Sequence, residues 1–435
     1  MLGLLTEIRN HPKGLLTLFL TELWERFSYY GMRAILVLYL VSEHNHSNPG
    51  LGWSNSEAIK LYGWYTALVY LACVPGGIIG DKFLNNRDAV SIGGALLCIG
   101  HLSLAIQNQS FFFIGLILII MGVGLLKPNI STLVGQLYKE NDHRRDQGFT
   151  IFYIGINFGA FFSSLIVGFI GEVYGWHYGF SLAGFGMLLG QFFFLKGKKS
   201  LIENKKRTDL PSLGFSFSSI EKDRIKLILI SSIILIIFWA SFEQAGGLMN
   251  IYAFEKTDRN LDFINFEVPA SWFQSINPLM IILLGFHVSA FWILMRKKKI
   301  ISSSLFKISV GIIIMGLGFV FMYFASLESL VFGKSSMYWL VLAYLFHTIG
   351  ELCASPVILS YITKLSPKKL VASIMGIYFA TIGLGNKLAG AIGESSGDLG
   401  ETTIFLGITI LCLIVGFTVI FFHKRLIKLS HGIDN

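Results

Sequence analysis

Apolar runs long enough to cross a bilayer recur along almost the whole chain, and nothing else in the sequence restricts its fold as strongly. A hydrocarbon core roughly 30 Å thick asks for about 20 apolar residues per helix. Inside it every backbone N–H and C=O needs a partner within the segment, so such runs form helices. The composition agrees, with 53% hydrophobic and 14% charged residues in 435. The fold class is therefore an all-α polytopic membrane protein. Polar breaks place its helices near 15–41, 60–80, 89–106, 111–135, 147–170, 177–195, 225–247, 270–295, 304–325, 337–362, 370–392 and 402–423. The first run begins after Lys13 and is too long for a signal-peptide core, so it reads as a retained helix. Cys73, Cys98, Cys353 and Cys412 all fall in apolar runs without paired spacing, as packing residues do.

The net charge of +9 marks one side of a membrane and not a nucleic-acid partner. Alternate loops hold Lys82 and Arg87, then Lys139, Arg144 and Arg145, then the stretch from Lys196 to Lys226. They continue with "RKKK" at 296–299 and with Lys364, Lys368 and Lys369. The opposite loops "QNQS", "GEVYGWHYG" and "GESSGDLGE" carry no base, so both termini are expected in the cytoplasm. The polar segment 197–224 reads as a cytoplasmic linker between six-helix bundles at 1–196 and 225–435. Two such bundles are the architecture of the major facilitator superfamily, with a substrate site between the halves near the midplane. The turn "GGIIGDKFLNNR" at 76–87 resembles that superfamily's loop after helix two, with Asn85 and Asn86 in place of a glycine and a basic residue.

The first helix nevertheless carries Glu22, Glu25, Arg26 and Arg33. With Tyr29 and Tyr30 they fall within an arc of about 140°. Exposed to lipid, four such charges would cost on the order of 10 kcal/mol, so this face looks into a cavity or onto partners. Glu22 and Arg26, four residues apart, can also form an internal salt-bridge ladder. By depth along the helices, Arg33 matches Glu243 in the seventh, towards the outer face, and Lys127 in the fourth matches Glu351 in the tenth, nearer the cytoplasm. Each half thus offers one member of two opposite-charge pairs, as two alternating gates would need.

These residues resemble the proton-dependent oligopeptide transporter (POT/PTR) family of the major facilitator superfamily. "ELWERFSYYG" at 22–31 is similar to that family's E-x-x-E-R-F-x-Y-Y-G signature at every fixed position. Further likenesses are "GLLKPNIS" at 124–131, "FYIGINFGA" at 152–160, "FWASFEQ" at 238–244, "VPASWFQSINP" at 268–278 and "GELCASP" at 350–356. The resemblance implies a proton-coupled symporter importing di- and tripeptides by alternating access, with no cofactor beyond the proton gradient. It implies that Arg26 and Lys127 hold the peptide carboxylate, Glu351 the ammonium, and Asn157 and Asn277 the peptide backbone. Tyr29, Tyr30, Tyr70, Ser355 and Tyr378 complete the implied substrate residues, and Glu22, Glu25, Arg26 and Glu243 the proton-coupling set. Arg33 with Glu243, and Lys127 with Glu351, are the implied gates. Two departures stand out: the short linker leaves no room for the two extra helices of many bacterial members, and Tyr378 stands where many have Trp.

His101, His287 and His347 are expected as packed residues and not proton relays, with His347, four before Glu351, the position that could differ. Lys387 is a lone cation with no assigned role. No H-E-x-x-H, G-x-S-x-G or P-loop pattern occurs, so an enzyme is not expected. Rival readings are a carrier of nitrate or of a peptide-like solute, and a peptide sensor that does not cycle. The expected setting is a bacterial inner membrane, where the chain works as a monomer among lipids.

Overall fold

The structure, a computed structural model, describes residues 10–45, 47–139, 142, 144–201, 218–298, 303–367 and 371–433, the side chains of 371–373 excepted. Most of the expected linker, with Lys299, Lys368 and Lys369, lies outside the described residues. Among the described residues twelve long helices follow one another. They are α1 (Gly14–Val41), α2 (Asn55–Lys82), α3 (Asn86–Leu104), α4 (Gln109–Gln136), α5 (Arg144–Phe169) and α6 (Trp176–Gly197). The series continues with α7 (Ser219–Phe242), α8 (Ile276–Lys297), α9 (Ser304–Phe332), α10 (Met337–Leu365), α11 (Val371–Glu394) and α12 (Glu401–Lys428). Nine of the helical spans are long and apolar enough to cross a membrane on composition alone. The span of α1 is not one of them, and its four central charges are the evident reason.

Local chemistry sets where the helices start and stop. Asn85 caps α3 by accepting from the Asp88 N–H, and Asn108 caps α4 by accepting from the Ser110 and Phe111 N–H groups. A capping box of Ser218 and Glu221 starts α7 six residues before the position read from hydropathy. Ser54 and Glu57 bond reciprocally in the same way, which starts α2 at Asn55. Apolar patterning could not register these polar first turns. At the other end α7 gives way to a 3₁₀ turn, Glu243–Ala245, and the glycine pair Gly246 and Gly247. The eighth span likewise opens as a 3₁₀ segment, Ala270–Ser275, before α8.

Two compact units emerge: residues 1–53 with 68–209, and residues 54–67 with 210–435. In the first, α1 packs on α5 and α6, and α3 on α4 and α6. In the second, α9 packs on α10 and α12, α7 on α11, and α8 on α10. The second unit also holds a parallel pairing of β1 (Thr257–Asp258) with β4 (Ser335–Ser336) and a small hairpin of β2 (Asn260–Leu261) with β3 (Phe266–Glu267). α2 is divided between the units after Ala67.

Glycine sets how closely the membrane helices approach. A Cβ on Gly76 of α2 would lie 2.0 Å from the Gly124 carbonyl oxygen of α4, whereas one on neighbouring Gly77 would meet nothing nearer than Pro128 at 3.7 Å. Beside this contact Asn86 donates to Asn129 Oδ1 (2.7 Å), Asn129 donates to the Gly76 carbonyl (3.2 Å), and Gln136 donates to Asn86 Oδ1 (3.1 Å). The asparagine that replaces a basic residue after helix two thus joins α2, α3 and α4 through neutral hydrogen bonds. Gly76→Ala is expected to destabilise the chain by about 1–3 kcal/mol through overpacking, and Gly77→Ala to leave it unchanged. Thermal midpoints of the two variants in detergent check this, and equal midpoints would contradict the contact.

Candidate functional site

The charged face of α1 is the centre of a polar cluster within the first unit. Glu22, Glu25 and Arg26 are all buried. The Arg26 Nε lies 2.7 Å from Glu22 Oε1, to which it donates, and 2.7 Å from Glu25 Oε2. The i, i+4 spacing makes the first approach, and the adjacent Glu25 closes on the guanidinium from the other side. The salt-bridge ladder legible in the sequence therefore exists, but it does not exhaust these groups. Arg26 Nη2, Glu22 Oε2 and both Glu25 oxygens are buried without a hydrogen-bond partner in the protein. A guanidinium with an unused N–H edge is suited to a carboxylate or phosphonate acceptor.

One turn further along α1, Tyr29 and Tyr30 meet edge to face at 5.5 Å. Arg26 and Arg33 lie on either side of this pair, their guanidinium carbons 5.9 Å and 5.1 Å from the Tyr30 centroid. Lys127 of α4 sits with its Nζ 3.9 Å from the centroid of Tyr70, which belongs to the part of α2 in the same unit. Asn157 of α5 is buried and donates to the Tyr153 carbonyl of its own helix (2.9 Å). The first unit thus gathers Glu22, Glu25, Arg26, Tyr29, Tyr30, Arg33, Tyr70, Lys127 and Asn157 from four helices.

The second unit holds Glu243 and Glu351. Asn277, the second residue of α8, donates through Nδ2 to Glu351 Oε2 of α10 (2.8 Å) and to Thr348 Oγ1 (3.1 Å). Thr348 donates in turn to the Tyr344 carbonyl (2.7 Å), which fixes the hydroxyl. The pairing of Asn277 with Glu351 was not legible in sequence, because 74 residues separate them. Ser355 lies one turn beyond Glu351 on α10, half-buried, and Tyr378 is buried on α11 against Phe379. Glu243, in the 3₁₀ turn after α7, accepts a hydrogen bond from the Tyr62 hydroxyl (2.5 Å). Tyr62 belongs to the part of α2 in this unit, and nothing in its sequence surroundings marked it as a partner for Glu243. The members of each expected gate are divided: Arg33 and Lys127 in the first unit, Glu243 and Glu351 in the second.

His101 and His347 behave as packed groups. His101 and His347 are fully buried with neither ring nitrogen hydrogen-bonded within the protein. His347 turns onto the Phe319 ring at 4.5 Å, into space left by Gly318, and makes no hydrogen bond to Glu351. His287 departs from the expected packing: α8 buries only Pro278, Ile281 and Trp292, and His287 is exposed, with Nδ1 3.0 Å from the Leu283 carbonyl.

Comparison with known proteins places the chain in a family. A sequence profile of the POT family matches residues 87–222 and 218–398. The uncharacterized transporter YclF of Bacillus subtilis (strain 168) is 36% identical, over 94% of this chain and 92% of its own length. The peptide transporter YePEPT of Yersinia enterocolitica is 36% identical over 88% of each chain, and a di-/tripeptide transporter of Lactococcus lactis subsp. cremoris is 32% identical over 97% of each. Among solved structures, a peptide transporter POT in complex with sulfate superposes with a TM-score of 0.89 at 32% identity, covering 96% of both chains. A POT family transporter in complex with 5-aminolevulinic acid superposes with a TM-score of 0.88 at 30% identity, covering 96% of this chain and 97% of the other. The chain that carries the Arg26 triad and the Asn277–Glu351 pair is an integral membrane transporter with the major facilitator fold, and it belongs to the POT family.

Proposed function

We propose that this chain is a proton-coupled symporter that imports di- and tripeptides into a bacterial cell, with both termini in the cytoplasm and the monomer as the working unit. Relatives named peptide and di-/tripeptide transporters support the substrate class. The observation that carries the reading is the division of charge. The first unit presents buried Arg26 with an unused N–H edge, together with Lys127. The second presents Glu351, held by the neutral Asn277. A short peptide of any sequence shares only its ammonium, its carboxylate and its backbone, so a broad-range carrier needs one cationic and one anionic anchor. Neither nitrate nor another simple anion gives Glu351 a task.

Coupling follows from the triad. With both carboxylates ionised, Arg26 is held by Glu22 and Glu25. A proton taken up by Glu25 removes one of those attractions and frees the guanidinium for the peptide carboxylate. Release of the peptide on the inner side restores the triad and expels the proton. Arg33 with Glu243, and Lys127 with Glu351, would act as alternating gates between the sequence halves 1–196 and 225–435, joined by a linker over 197–224. Tyr29, Tyr30 and Tyr70 would wall the site with Ser355 and Tyr378, and Asn157 and Asn277 would bond the peptide backbone. The driving force needed is the proton gradient, with no cofactor.

Three outcomes follow. Proteoliposomes given an inward proton gradient should concentrate labelled dialanine, and a protonophore should abolish the accumulation; binding without concentration would point to a sensor. Arg26→Ala should lose driven uptake, and uptake at the wild-type rate would refute its role. Glu351→Gln should lower uptake of free dipeptides by about 10–100-fold, the worth of one charge-assisted hydrogen bond of roughly 1.5–3 kcal/mol. It should lower uptake of N-acetylated dipeptides much less, and equal losses would remove the ammonium from Glu351.

A further inference from the structure

Lys387, the cation left without a role by the sequence, lies in α11 about 10 Å from the helix end at Glu394. Its Nζ is 4.7 Å from the centroid of Trp64 on α2. Among the described residues no carboxylate lies within ion-pair distance of it. Lys60, one turn before Trp64, is neutralised by Glu394, whose Oε1 lies 3.1 Å from its Nζ. All four residues belong to the second unit. The helix backbones meet directly behind them: a Cβ on Gly63 would fall 2.6 Å from the Gly390 Cα. Two glycines in contact put no side chain between α2 and α11 at that level, so the helices meet there along a groove floored by backbone. Trp64 is 48% exposed, and along α11 Leu384 and Ile377 are 53% and 46% exposed, as apolar side chains that face lipid would be.

With Lys60 paired to Glu394, Lys387 is the lysine at this seam left without an acid within ion-pair distance among the described residues. A lysine at this depth reaches the headgroup level by extending along its stem. Trp64 beside it suits the same level, where indole rings concentrate. We propose that the groove is a phospholipid site selective for an anionic headgroup. The phosphate sits at Lys387 and Trp64, and an acyl chain runs along Leu384 and Ile377. Lys60 and Glu394, already paired, close the groove at its outer end and add no net charge. Selectivity therefore rests on Lys387.

Native mass spectrometry of the full-length chain, extracted with phosphatidylglycerol and phosphatidylcholine in equal amounts, tests this. The wild type should retain phosphatidylglycerol about fivefold better, as one lysine near a lipid surface gives. Lys387→Met should abolish the preference, and Lys387→Arg should keep it. Soluble glycerol phosphate, with the same charge and no acyl chain, should displace nothing. Equal retention by the wild type, an undiminished preference in Lys387→Met, or displacement by glycerol phosphate would each overturn the proposal. Should Lys387→Met fail to fold, the indole emission lost in Trp64→Phe provides the readout. Quenching of that emission by brominated phosphatidylglycerol and not by brominated phosphatidylcholine supports the site, and equal quenching by both overturns it.

Discussion

Arg26, closed between Glu22 and Glu25 at 2.7 Å, is the interaction on which the first unit depends. A guanidinium in the interior of a membrane protein is tolerable only with its charge met at close range. Losing one partner of a buried pair costs about 3–5 kcal/mol, because an uncompensated charge remains. Two acids against one base give the triad an excess negative charge, which a proton can cancel without unfolding anything. In the proposed coupling, the same constraint that makes these groups expensive to bury would make their protonation a means of redistributing attractions.

The second unit solves the complementary problem with a neutral partner. Glu351 is met by the Asn277 carboxamide and not by a fixed cation of its own unit. The carboxylate is oriented but its charge is not cancelled, so it keeps an attraction for an ammonium. Glu243 also accepts a hydrogen bond from a neutral donor, the Tyr62 hydroxyl. The Asn277 carboxamide positions Glu351 while leaving its charge available, which is the physical difference between an anchor and a brace. The Asn86, Asn129 and Gln136 network follows the opposite logic. Where the resembling loop has a basic residue, neutral amides join three helices with no charge to compensate.

α2 connects these themes. Its second half supplies Tyr70 to Lys127 and Gly76 to the contact with α4. Its first half supplies Tyr62 to Glu243, Lys60 to Glu394 and Trp64 to Lys387. A single 28-residue helix therefore serves both compact units. In hydropathy it is only one more apolar run. The glycine contacts and polar pairs of its two parts join residues that lie far apart in sequence.

The sequence by itself determined the membrane class, the twelve helices and the single polar face of α1, because transfer out of water and helical periodicity act over one turn to a few turns. It determined the pairing of Glu22 with Arg26 for the same reason, since four residues separate them. Capping pairs such as Ser54 with Glu57 were equally local, though hydropathy alone passed over them. Only the tertiary structure decided that Asn277 holds Glu351, that Tyr62 bonds Glu243, that Lys127 rests on Tyr70 and that Lys387 rests on Trp64. Each joins residues on different helices, and depth along a helix leaves the direction in which a side chain points undetermined until the neighbouring helix is in place. His347 shows the same limit: four residues before Glu351 it shares a helix face, yet Gly318 opens space beside Phe319 and the ring packs there.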